Sequence, residues 1–149
     1  MSAPDREQEL VRVQAVRAYV ESAEQDLRLA EIALATRDYT GWGQIGFHAQ
    51  QAVEKLLKAL LISHHVHPDP VHDIADLRGQ LRLWDRELAD DLQEADSLNL
   101  YAVRYRYPPK DLTRPHPLNR QRVKNAVATA QRTRDRVLMR LVRRGHLPE

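Results

Sequence analysis

Residues 42–62 read WGQIGFHAQQAVEKLLKALLI, and the fold turns on this stretch. Its apolar residues fall at Ile45, Ala49, Ala52, Val53, Leu56, Ala59 and Leu60, a spacing that keeps one stripe of an α-helix buried. No glycine or proline interrupts it after Gly46, so the helix is expected to run ~30 Å. His48, Gln51, Lys55 and Lys58 stand three and four apart and form a polar line on another face. Glu54 and Lys58 add an i,i+4 pair in the favourable order. A helix this apolar that also carries a His/Gln/Lys line reads as the inner helix of a small bundle with one wet side.

Upstream, Val13, Val16, Val20, Ala23, Leu27, Ala30 and Leu34 repeat at alternating intervals of four and three or close to it, a second helical stripe. Its start is marked by Pro4 and by Ser2 and Asp5 in capping-box spacing. Arg37 to Gly41 breaks the pattern, and so short a connection favours an antiparallel hairpin of the first two helices. Downstream comes SHHVHPDPVHD, residues 63–73, with four histidines, two aspartates and two prolines. The prolines force an extended, turning backbone. The spacing matches no metal-ligand pattern, so neither a metal nor another cofactor is expected. His72 and Asp73 stand where one of them would cap a third helix carrying Ile74, Leu77 and Leu81.

Leu88, Leu92, Ala95 and Leu98 predict a fourth helix, which ends at NLYAVRYRYPPK, residues 99–110. Three tyrosines alternate there with two arginines before Pro108 and Pro109 stop any helix. Guanidinium groups suit phosphate and rings suit stacking on bases. The alternative is that the tyrosines pack at the end of the bundle while the arginines pair with acidic residues. After a Pro-rich loop, Val123, Ala126, Val127, Ala130, Val137, Leu138 and Leu141 line a last helix whose other faces are crowded with arginine. The predicted helices are thus 4–37, 42–66, 73–84, 86–103 and 118–145, with a merged or irregular third and fourth as the alternative. They form an all-α, up-and-down bundle of four to five helices in one domain, residues 1–149.

Composition agrees. The chain has 149 residues, enough to bury a core, and only five glycines. It has no cysteine, which excludes disulfides, thiolate metal sites and cysteine nucleophiles. A polar start, MSAPDREQEL, and the lack of any long apolar run lead to the expectation of a cytoplasmic protein without membrane association. The net charge of +2 hides an asymmetry: residues 1–99 hold ten positive and eighteen negative side chains, residues 100–149 thirteen and three, giving −8 and +10. Either an anionic partner meets the basic half, or it pairs with acidic helices of its own bundle or of a second copy.

FHAQQAVEKLLKALLI, HPDPVHDIADL and LNLYAVRYRYP, in this order, resemble the three sequence blocks of the prokaryotic HEPN domain, and AEQDLRLAEIAL resembles that family's first helix. The resemblance covers roughly residues 12–142. It implies a bundle of four or five helices, commonly a homodimer, proposed to bind nucleotides. Such proteins are often encoded beside a minimal nucleotidyltransferase in a toxin–antitoxin-like pair.

Many family members are metal-independent ribonucleases with an Arg, four to six residues and a His at the start of the last long helix. His suits proton transfer near neutral pH, and Arg suits holding the scissile phosphate. Here Arg106 takes the place of the expected Arg, but nine residues separate it from His116. Arg140 and His146 have five between them but lie at the end of the last helix, where an arginine-rich tail makes a chance match expected. The resemblance therefore implies a non-catalytic binding module for nucleotide, RNA or a nucleotidyltransferase. A ribonuclease using Arg104 or Arg106 with His116 is the alternative. The expected ligand-binding groove joins His48, Gln51 and Lys55 to Tyr101, Arg104, Arg106 and Tyr107, with His72 and Asp73 at its rim.

Overall fold

The computed structural model describes residues 1–149 and contains helices and no strand. They are α1 (Ala3–Ala35), α2 (Trp42–Ser63), α3 (Ile74–Leu81), α4 (Arg86–Asp91), α5 (Asn99–Ala102) and α6 (Arg120–Arg143), with a 3-10 segment (Gln93–Leu98) between α4 and α5. The capping box closes α1: the Asp5 amide donates to Ser2 Oγ at 3.2 Å and the Ser2 amide to Asp5 Oδ2 at 3.0 Å. Asp73 proves to be the cap of α3, its Oδ1 accepting from the Asp76 amide at 3.0 Å.

α2 is the inner helix. Besides the stripe from Ile45 to Leu60, Leu57 and Leu61 are fully buried, because α1, α3, α5 and α6 all pack on it. Ala49, Ala52 and Ala59 on α2, Ala23 and Ala30 on α1, and Ala126 and Ala130 on α6 keep these contacts close. α1 runs antiparallel to α2. The α3–α5 segments then return the chain, so α6 descends alongside α2 and the two helices end together.

Over 86–103 the irregular alternative holds: a short α4, a 3-10 segment and a short α5 stand in place of one continuous helix. Leu92, Ala95, Leu98 and Tyr101 are all buried at intervals of three residues. An α-helix would rotate that set off the core, whereas three residues per turn stacks it on one line, and the backbone tightens to 3-10 over Gln93–Leu98. Tyr101 completes the line by lying against Gly46, where an added methyl group would overlap its ring.

At the other end, α2 and α6 stop in the same way. The Val66 amide donates to Leu61 O at 2.9 Å with His65 at φ +64°, and the His146 amide to Leu141 O at 3.0 Å with Gly145 at φ +76°. The second turn folds His146 back into the bundle, 6% exposed, near His64 and 3.5 Å from Glu9 Oε1. Arg144 ties the two ends by donating to Ser63 O at 2.8 Å.

Part of the charge asymmetry is met inside the chain. Arg132 pairs with Glu94 at 2.9 Å, Arg140 with Asp85 and Arg134 with Glu24 at 3.8 Å, while Arg136 donates to the Asp91 carbonyl at 2.6 Å. The exposed pair of Arg132 and Glu94 contributes only ~0–1 kcal/mol, so it orients α6 more than it holds it.

Gly46→Ala is expected to lose about 1–3 kcal/mol in urea denaturation, since overlap with Tyr101 outweighs the ~1 kcal/mol that alanine adds within a helix. A second expectation concerns acid. Burial, together with Arg144, pushes His64 below its ordinary value, and burial does the same to His146 against the opposing pull of Glu9. Both rings therefore bind protons more readily unfolded than folded. Their contribution to stability is present above about pH 6.5 and is lost as pH falls below it. Thermal melts from pH 7.5 to 5.5 should show a falling melting temperature, with a shallower fall in His146→Leu.

Candidate functional site

Two carboxylates divide the polar line of α2. Asp26 on α1 takes His48, with Nδ1 at 3.0 Å, and Lys55, with Nζ at 2.5 Å. Glu54, 3% exposed, takes the rest. Its Oε1 accepts from Lys58 at 2.9 Å and His72 Nδ1 at 2.6 Å, and its Oε2 from Gln51 at 3.1 Å and Gln50 at 3.3 Å. Burial raises the Glu54 pKa, but the hydrogen bonds from Lys58 and His72 and the Lys58 charge outweigh it, so the carboxyl lies below its usual range and stays ionised. Gln50 also donates to the His72 carbonyl at 3.3 Å, fixing ring and backbone of that residue together.

Beside this network lies a cleft of about 450 Å³ between α2, the start of α3 and α5. Phe47 and Gln51 form its floor, His72 and Asp73 one wall, and Asn99, Ala102, Val103 and Arg106 the other. Asn99 joins the walls, accepting from the Ile74 amide at 2.8 Å and donating to Asp73 Oδ1 at 3.2 Å. The Arg106 guanidinium stacks 4.7 Å from the Phe47 ring centre. Arg106, Arg104 and Lys110 make no hydrogen bond or ion pair within the chain.

Of the residues expected to share a groove, the structure brings together Gln51, His72, Asp73 and Arg106. His48 and Lys55 lie apart on Asp26, and Tyr101 is buried against Gly46 and Tyr105. Arg104, Tyr107 and His116 line a neighbouring cleft of about 490 Å³, which Arg104 shares with the Pro108–Pro109 turn. His116 touches neither arginine by a hydrogen bond; its Nδ1 accepts from the Leu118 amide at 3.0 Å, which shapes the entry to α6. The second Arg/His pair is closed off, with Arg140 on Asp85 and His146 buried.

Sequence reasoning missed Glu54 as the hub, reading it only as the partner of Lys58, and missed Asp26, Phe47 and Asn99 altogether. A signal existed for Glu54: Gln50, Glu54, Leu57 and Leu61 share one helical face, and a carboxylate in line with two buried leucines calls for several donors. No three His, Asp or Glu side chains are grouped to hold a metal ion. No helix is long and apolar enough to cross a membrane.

The sequence profile of the HEPN domain matches residues 16–140. The chain is also similar to the crystal structure of TT1696 from Thermus thermophilus, with 30% sequence identity and a TM-score of 0.68, over 83% of this chain and 96% of that one. No curated protein matches it. The chain belongs to the HEPN domain family.

If Glu54 anchors this region, Glu54→Ala leaves Lys58, Gln50 and Gln51 without their acceptor and should cost about 2–4 kcal/mol in chemical denaturation. His72→Ala, on an exposed side chain, should cost under about 1 kcal/mol.

Proposed function

We propose that this HEPN-domain protein is a non-catalytic binding module that takes a phosphate-bearing ligand, a nucleotide or RNA, in the cleft between α2 and α5. The observation that carries this is the state of Arg106. Most arginines of α6 are engaged by carboxylates, carbonyls or hydroxyls of the chain, whereas Arg106 stands unpaired over Phe47 at the mouth of a cleft. A guanidinium held flat on a ring keeps its fork free for phosphate. Arg104, Lys110 and Tyr107 continue the same basic, aromatic surface beyond it.

Val103 and Tyr107 are 74% and 65% exposed along this cleft and its neighbour, apolar surface that supports association with a second copy or with a nucleotidyltransferase encoded as its pair. The second reading is phosphodiester cleavage by Arg104 and His116. What favours it is that the two line one cleft.

Arg106→Ala should weaken binding of AMP or a short RNA by about 1–3 kcal/mol in calorimetric titration, while the melting temperature stays nearly unchanged. A variant that binds as the parent does removes the cleft as the site. RNA cleavage by the parent that His116→Ala abolishes would favour the second reading.

A further inference from the structure

We propose that the cleft is a seat for a terminal phosphate, a monoester rather than a diester, gripped by Arg106 from one wall and by a proton-bearing His72 from the other. This rests on the reading that the cleft binds phosphate. Glu54 is ionised and accepts the His72 Nδ1 hydrogen at 2.6 Å, so Nδ1 carries the proton and Nε2 is the nitrogen left free. The side chain is 75% exposed, although its anchor is 4% exposed. His72 is therefore a surface imidazole whose tautomer and orientation are set from beneath.

The charges around it explain why a proton on Nε2 and an anion in the cleft belong together. From α2, Glu54 supplies one negative charge, and Lys58 already answers it at 2.9 Å. Arg12 of α1, Lys58, His65, His67 and Asp69 line the groove on the far side of His72, and Arg106 and Asp73 line the cleft itself. Asp73 Oδ1 is occupied by the Asp76 amide and Asn99. A proton on His72 thus adds a cation to a network whose central carboxylate is already balanced by lysine, and it is best compensated by an incoming anion. A monoester dianion brings two charges and three terminal oxygens, enough for the arginine fork and the imidazolium together. A diester brings one charge and two such oxygens, which Arg106 alone can meet. Binding and protonation then favour one another reciprocally.

The test is calorimetric titration of the full chain at pH 7.5 with AMP and with its phosphate methyl ester, each in two phosphate-free buffers of different ionisation enthalpy. AMP is then largely the dianion. The expected result is about tenfold tighter binding of AMP, the worth of one more charge-assisted hydrogen bond, with a net uptake of protons that the methyl ester does not show. His72→Gln, shown folded by an unchanged thermal melt, should bind both ligands at the methyl-ester level with no proton uptake. Equal binding of the two ligands by the parent, or a preference and proton uptake that persist in His72→Gln, overturns the inference and leaves the phosphate cleft standing. If AMP, the methyl ester and a short RNA all fail to bind, the phosphate cleft and the inference fall together.

Discussion

A carboxylate buried in the middle of the most apolar helix must be met by donors from the same molecule, and much of the polar architecture follows from that need. Glu54 lies where α2 is packed against its neighbours, and water cannot solvate it. Gln50, Gln51, Lys58 and His72 fill its lone pairs instead. Because His72 comes from the loop leading to α3, satisfying the charge also fixes where that loop lies. Asp73 then caps α3 and meets Asn99, so one electrostatic requirement sets the two walls of the cleft relative to its floor.

The same need for internal compensation governs the basic half. α6 carries its arginines to Glu24, Asp85 and Glu94, and to carbonyls at the ends of other segments. These contacts are individually weak, but they use up guanidinium groups that would otherwise form an unbroken cationic surface. Arg104, Arg106 and Lys110, where the chain leaves regular structure after α5, keep their side chains without a partner, as do Lys124 and Arg143 on α6. Arg104, Arg106 and Lys110 thereby leave positive charge at the clefts beside the Tyr/Arg segment.

The far end of the bundle shows the cost of closing helices with the wrong residue type. His65 occupies a left-handed position that glycine fills at the matching place in α6, and such a conformation costs a β-carbon-bearing residue roughly 1 kcal/mol. His146 takes the place where a turn of this kind ordinarily folds an apolar side chain back on the helix, and neither of its ring nitrogens makes a hydrogen bond. His64 and His146, whose burial makes this end of the bundle acid-sensitive, do not line the cleft between α2 and α5, so the two regions are separable.

Periodicity alone identified α1, α2 and α6, because an apolar stripe at helical spacing depends only on local geometry and on the need to leave water. Ser2, Pro4 and Asp5 announced the start of α1 for the same reason: capping is a contact three residues long. The fourth helix was less legible, since a repeat of three over Leu92, Ala95, Leu98 and Tyr101 is compatible with an α-helix until the position of the core is known. Among the site residues, Gln51, His72, Asp73 and Arg106 were legible as residue types suited to binding. Only the tertiary structure decided that they meet, that His48 and Lys55 are spent on Asp26, and that Tyr101 is buried beneath Gly46. The contacts that place His48, Lys55, His72 and Asp73 join residues 18 to 29 positions apart, and such pairing is settled by how helices dock, which no local pattern of side chains encodes.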